Sequence, residues 1–285
     1  MSVPAKNQFQ PNEQESRLHI DRHRSFLRKI DYAKKLYVFA YRNGRIPGKT
    51  AEELARLQTY VQQDNDILKF LVVNDNDKYL DYKGNEHHWT TEYCWTHVIP
   101  AIAFRFRLNF NIEDFKPVEF KWNGCDFSYH IPVCDMKFEV RDFVSNNNIR
   151  GNYDALRNIN LCPKLNYSHS LYHMLFRLSH SCGMITNLNM GTGPKLAVNC
   201  DSMAIPIIPV LAPYFKKILV IDRRTENKTL EEYSNHIIDF KPTHYLEIFT
   251  DYNVFLSEKY YYNLFEKPSE TVMPVEKTSF RPVKP

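Results

Sequence analysis

Glycine is scarce, with eight in 285 residues. That leaves little material for loops that cradle phosphate with backbone N–H groups. Neither G-x-G-x-x-G nor G-x-x-x-x-G-K-[ST] occurs, and there is no G-x-S-x-G elbow. None of the six cysteines forms a C-x-x-C pair. A chain of this length needs no disulfide scaffold, so free thiols in a reducing compartment are expected, with no metal centre. No stretch reaches the roughly 18 to 20 apolar residues that span a bilayer. The opening MSVPAKNQFQPNEQES has no apolar leader core. The expected location is the cytoplasm, with the inner membrane surface as a variant of it.

Apolar residues make up 43% of the chain and aromatics 14%, enough to fill a real core. The length suits one large domain carrying an insertion. Net charge is +4 and uneven. Between Arg17 and Arg45, nine Lys/Arg stand against Asp21 and Asp31, a local balance of +7 that leaves about −3 elsewhere. A basic segment on a neutral protein suits an anionic partner, or a solvated helix face.

Phe26, Ile30, Ala33 and Tyr37 follow helical spacing and predict a long basic helix over residues 17–45. Thr50 to Glu53 is a capping-box pattern that opens another helix. Ile67 to Val73 reads as a buried strand. A helix from about Thr91 carries Trp95, Val98, Ile99 and Ile102 on one face. Alternation on both sides of Asn123-Gly124 predicts a hairpin. Residues 109–165 therefore read as a β-rich insertion whose tip, Ser145 to Gly151, is a mobile loop. A helix is expected from Ser168 to Ser181. Then follow a strand (Lys195 to Asn199), a proline-marked helix (Met203 to Phe215) and a strand (Lys217 to Asp222). A helix from Thr229 to Phe240 and a strand from His244 to Thr250 complete the series. Strands alternating with helices predict an α/β fold with a doubly wound parallel sheet flanked by helices. One domain covers 1–266, and 267–285, rich in Pro and Lys, reads as a disordered tail.

Ligands of open parallel sheets bind beyond the carboxyl ends of the strands. Asn199-Cys200-Asp201-Ser202, Asp222-Arg223-Arg224 and Asp251-Tyr252-Asn253 each stand at the end of a predicted strand. A serine at a strand-to-helix turn lies beside free N–H groups that can hold an oxyanion, although Asp201 and Ser202 also suit plain helix caps. Serine needs a base, and His88 with Glu86 two residues earlier can supply an oriented imidazole. His169, His173 and His180 fall near one predicted helical face, but no third ligand type joins them.

Glu86-His87-His88-Trp89-Thr90 resembles the D-x-H-W-T motif of the alginate O-acetyltransferase (DHHW/AlgX-like) branch of the SGNH superfamily. The stretch from Gly193 through Asp201-Ser202 to Ala204 is similar to its strand and G-D-S block. Ile208-Pro209-Val210-Leu211-Ala212-Pro213-Tyr214-Phe215 and Val220-Ile221-Asp222-Arg223-Arg224 continue the similarity. The histidine motif precedes the serine motif, as in that branch. The chain departs from the pattern at Glu86, where the family has Asp, and at Cys200, where it has Gly.

The resemblance implies an SGNH-like fold with Ser202 as nucleophile, His88 as base and Glu86 as orienting acid. Asp201, Arg224, Trp89, Tyr252, Asn253 and Asn199 form the expected substrate-binding set. Acetyl-CoA is the expected donor, and a bacterial capsule or surface polysaccharide the acceptor. Arg24 and Arg28 are the expected contacts to an anionic polymer, with peripheral association to capsule assembly machinery. No permanently bound cofactor, nucleic acid or metal is expected. The same residues suit an acetylesterase, and a glycan-binding module without catalysis is the rival from another class.

Overall fold

A computed structural model describes residues 25–40, 70–73, 94–122, 125–132, 135–143, 146–152, 182–204, 207–222 and 230–250. Its centre is a mixed sheet of eight strands. These are β1 (Lys34–Ala40), β2 (Phe70–Val73), β5 (Lys137–Asp142), β6 (Asn148–Asn152), β7 (Gly183–Asn187), β8 (Lys195–Cys200), β9 (Lys217–Asp222) and β10 (His244–Thr250). The order is β2-β1-β10-β8-β9-β7-β5-β6. Neighbours from β2 to β9 run parallel, and β7, β5 and β6 each pair antiparallel. The fold is α/β as expected, but its sheet is mixed rather than wholly parallel.

β1 corrects the expected helix over residues 17–45. Helix occupies only 25–28 of the described part, and Lys34 to Ala40 lie between β2 and β10. Leu36, Tyr37 and Val38 are all buried. A strand covered on both faces shows no alternation, so a helical spacing can be read into it by chance. Phe26, Leu27 and Ile30 are buried, and Phe26 meets the Tyr245 ring edge-on at 5.8 Å.

The helix around Trp95 is present as a π-helical turn (Cys94–Val98) leading into α1 (Ile99–Phe106). Trp95, Val98, Ile99 and Ile102 are buried as their spacing predicts. They share one core with Leu36, Val38, Val198, Val220, Leu246 and Ile248. Burying apolar area at about 25 cal/mol per Å² is the main force holding α1 on this face.

The predicted hairpin is β3 (Phe115–Trp122) and β4 (Cys125–Pro132), paired from Phe115↔Pro132 to Trp122↔Cys125. The β-rich insertion is smaller than expected, because β5 and β6 belong to the main sheet. Residues 148–151, expected in a mobile loop, lie in edge strand β6. Gly151 suits that strand because a Cβ there would stand 2.5 Å from the Phe138 ring.

The proline-marked helix is broken. Ser202–Ala204 is 3-10, α2 is Ile208–Leu211, and Ala212–Tyr214 is 3-10 again. Pro209 and Pro213 open the last two segments, where a missing N–H costs least. The last helix, α3 (Leu230–Phe240), matches its expected span closely. The expected helices at Thr50 and over 168–181 lie outside the described residues.

Candidate active site

The site is built where β8 leaves the sheet. β8 lies between β10 and β9, and every residue of it after Lys195 is buried. The ladder continues one residue further, with the Asp201 N–H donating to the Ile248 carbonyl at 3.1 Å. The chain then turns abruptly. The Asp201 carboxylate accepts the Met203 N–H at 2.8 Å, and the Asp201 carbonyl accepts the Ala204 N–H at 3.2 Å. Asp201, Met203 and Ala204 are fully buried. Ser202 is the first residue of the 3-10 turn at the carboxyl edge of the parallel strands.

Asp201 therefore caps the turn that carries Ser202. This is the usual work of an Asp at such a position, since its oxygen satisfies an N–H left free at a helix start. Cys200, where the resembling family has Gly, belongs to the core cluster and is 1% exposed. Its thiol packs as a small apolar group.

Asn199 is also buried. Its amide donates to the Tyr245 hydroxyl at 3.0 Å, and that hydroxyl donates to Glu247 Oε2 at 2.8 Å. Glu247 is the register partner of Asn199 on β10. Three polar side chains thus satisfy one another inside the sheet face beneath the turn. Sequence reasoning passed over Tyr245 and Glu247. The signal was present in HYLEIFT, where a carboxylate interrupts a strand too apolar to be an exposed edge.

Asp222 ends β9 opposite Cys200. Its N–H donates to Cys182 Sγ at 3.2 Å, and that thiol lies 3.4 Å from the Asp222 carbonyl, to which it donates. Burial raises the Cys94 thiol well above its ordinary pKa, so this sulfur is held neutral. No group of three His, Cys, Asp or Glu side chains suited to a metal occurs among the described residues.

Glu86, His88, Trp89, Arg224, Tyr252, Asn253 and Arg24 lie outside the described residues. Arg28 is exposed, one short turn ahead of β1. Residues 74–93 connect the carboxyl end of β2 to the helical turn at Cys94. Cys94 shares its core cluster with Cys200 and Met203. His88 is six residues before Cys94, a reach of at most ~20 Å of extended chain.

No family model and no curated protein matches the chain. Solved structures do. The structure of Bacillus cereus PatB1 with a sulfonyl adduct has a TM-score of 0.62 at 16% identity, over 87% of this chain and 91% of that one. A second structure of Bacillus cereus PatB1 gives 0.60 at 15%, over 85% and 90%. A DHHW family protein from Eubacterium siraeum gives 0.54 at 14%, over 84% and 85%. At these identities the likeness is one of fold: the chain has the α/β architecture found in PatB1 and in a DHHW family protein.

Proposed function

We propose that the chain is a serine-dependent O-acetyltransferase that moves acetyl from acetyl-CoA to hydroxyls of a bacterial capsule or surface polysaccharide. The observation that carries the reading is the placement of Ser202 on a capped turn at the carboxyl edge of a central strand. The likeness to a DHHW family protein agrees with the motifs Glu86-His88-Trp89 and Asp201-Ser202. The sulfonyl adduct of the PatB1 structure also agrees, since a sulfonyl reagent traps an activated nucleophile. The reading carries with it the doubly wound architecture of the SGNH superfamily.

The mechanism is double displacement. Ser202 Oγ attacks the thioester carbonyl while His88 takes the hydroxyl proton. The C–S bond breaks, and the departing thiolate receives that proton from His88. A sugar hydroxyl then attacks the acetyl-serine, giving its proton to His88. The C–O bond to Ser202 breaks, and His88 returns the proton to Ser202. Glu86 holds the imidazole, and N–H groups of the turn receive the oxyanion. Asp201 positions the turn rather than touching substrate. The reading assigns substrate contacts to Arg224, Trp89, Tyr252 and Asn253, and contacts to anionic groups of the polymer to Arg24 and Arg28.

The test is incubation with labelled acetyl-CoA, with and without glycan, alongside sulfonyl fluoride labelling. Expected are label in the polymer and a covalent adduct on Ser202, both lost in Ser202→Ala. Thioester loss to acetate alone points to the acetylesterase. No adduct, with glycan still bound, points to a binding module and sinks the proposal.

A further inference from the structure

The amino edge of the sheet, opposite Ser202, gathers positive charge. Lys34 opens β1, Lys195 opens β8, Lys216 and Lys217 open β9, Lys137 opens β5, and Lys241 leads into β10. Arg107, just past α1, joins them, because the Lys34 ammonium donates to the Phe106 carbonyl at 3.1 Å. Lys195 and Lys217 are direct register partners on adjacent strands. Like charges so placed repel, and Lys217 and Lys241 both help burial push the Lys195 ammonium below its ordinary pKa.

Three of these cations have internal work. Lys34 closes the end of α1, Lys195 bonds the Phe240 carbonyl at the end of α3, and Lys216 bonds the Asn187 and Met190 carbonyls. A carbonyl satisfies the donors but leaves the charge in place. Among the described residues, none of the seven cations stands at ion-pair distance from a carboxylate. The carboxylates within three residues of these cations along the chain, Asp31, Asp135, Glu139 and Asp239, are four against seven. Lys137, Lys217, Lys241 and Arg107 are exposed.

Exposed apolar side chains stand among these cations. Tyr32, two residues before β1, is 57% exposed, and Leu188, in the turn after β7, is 43% exposed. Phe104, in the last turn of α1 and directly before Arg105, is 79% exposed. Large exposed apolar groups cost free energy in water. A soluble polyanion needs only the lysines. A charged bilayer uses both sets, cations for its headgroups and apolar tips for the acyl boundary.

We propose that the amino edge is a docking surface for an anionic lipid bilayer. The lysines from β1 to β9 span about 15 Å across the sheet, at ~5 Å per strand. Ser202 lies a strand length away, about 20 Å at ~3.3 Å per residue, on the edge that then faces away from the membrane. This inference does not depend on the acetyl-transfer reading.

The experiment is sedimentation of the full chain with vesicles of phosphatidylcholine, alone or with about one-third phosphatidylserine. Binding is expected only with phosphatidylserine, weakening as salt rises. Lys217→Glu with Lys241→Glu should lower it at least about ten-fold, and Lys217→Arg with Lys241→Arg should keep it. Phe104→Ser should weaken binding without altering its salt dependence. Thermal unfolding of each variant shows whether it is folded, and the Arg pair keeps the test open if the Glu pair is not. Equal binding to neutral vesicles, or binding to polyaspartate but not to vesicles, overturns the proposal. So does full binding by a folded Lys217→Glu/Lys241→Glu variant.

Discussion

The Asp201 carboxylate accepts the Met203 N–H at 2.8 Å across the residue that the motifs mark as nucleophile. The bond spans Ser202, so it fixes the backbone on both sides of that residue. Asp201→Ala removes a cap worth about 1 kcal/mol and leaves a buried N–H unsatisfied. Asp201→Asn keeps an acceptor oxygen in the same place. The Ala variant should therefore lose thermal stability and label slowly at Ser202, and the Asn variant should recover most of both. Equal defects in the two variants would show that the charge of Asp201, not its cap, is what matters.

His88 is the proposed base, so its removal should act on the chemical step. His88→Ala should lower acetyl transfer by about 10²- to 10⁴-fold with little change in KM. The rate in the wild-type chain should fall on acidification, because only the neutral ring accepts a proton. Glu86→Gln should cost less, since an amide oxygen still orients the ring. Steady-state rates against pH for the three chains check this, and unchanged turnover in His88→Ala would remove it from the mechanism.

Much of this fold was legible because its elements obey one periodicity each. Trp95, Val98, Ile99 and Ile102 share a helical face, and the hairpin alternates about its turn. Strands β8, β9 and β10 are short apolar runs between polar turns, and all three were read. What failed was strand β1, apolar on both faces and embedded in a basic stretch that mimics a helix. β5 and β6 fall inside the stretch read as β-rich, but neither their place in the main sheet nor strand β7 is marked locally. Pairing partners distant in sequence leave no local mark. At the candidate site, the turn at Asp201 and Ser202 was legible from its position after a strand. The buried Asn199–Tyr245–Glu247 chain did not, because it depends on the register between β8 and β10.

His244 predicts how stability responds to acid. It opens β10, with the Phe106 and Phe215 rings edge-on at 4.9 and 5.2 Å. Burial, then the Lys34 ammonium, lowers its pKa from 6.5 to about 4, against the opposing pull of the Phe106 carbonyl. The unfolded chain thus takes up this proton more readily than the folded one. Stability is complete above pH 6.5 and falls as pH drops toward 4. At about 1.4 kcal/mol per unit the ceiling is roughly 3 kcal/mol, and partial solvation trims it to about 2 kcal/mol. Urea unfolding from pH 7 to 4 should show the loss, and His244→Leu should flatten that part of the curve. An identical slope in the variant would assign the acid sensitivity elsewhere.

Tyr245 separates the packing of the sheet from its polar interior. Its hydroxyl accepts from Asn199 and donates to Glu247, and all three side chains are at most 3% exposed. Tyr245→Phe keeps the ring and its edge contact with Phe26 but removes both hydrogen bonds. Each buried group left without that partner costs about 1–3 kcal/mol, so a loss of roughly 2 kcal/mol or more is expected. Glu247→Gln retains an oxygen to receive the hydroxyl proton and should cost less. The network fixes β8 against β10, and Ser202 follows β8 by two residues. Ser202 labelling should therefore slow in Tyr245→Phe more than in a core variant of equal stability, such as Ile237→Val with a second trimmed side chain. Matching labelling rates at matched stability would leave the network a role in folding alone.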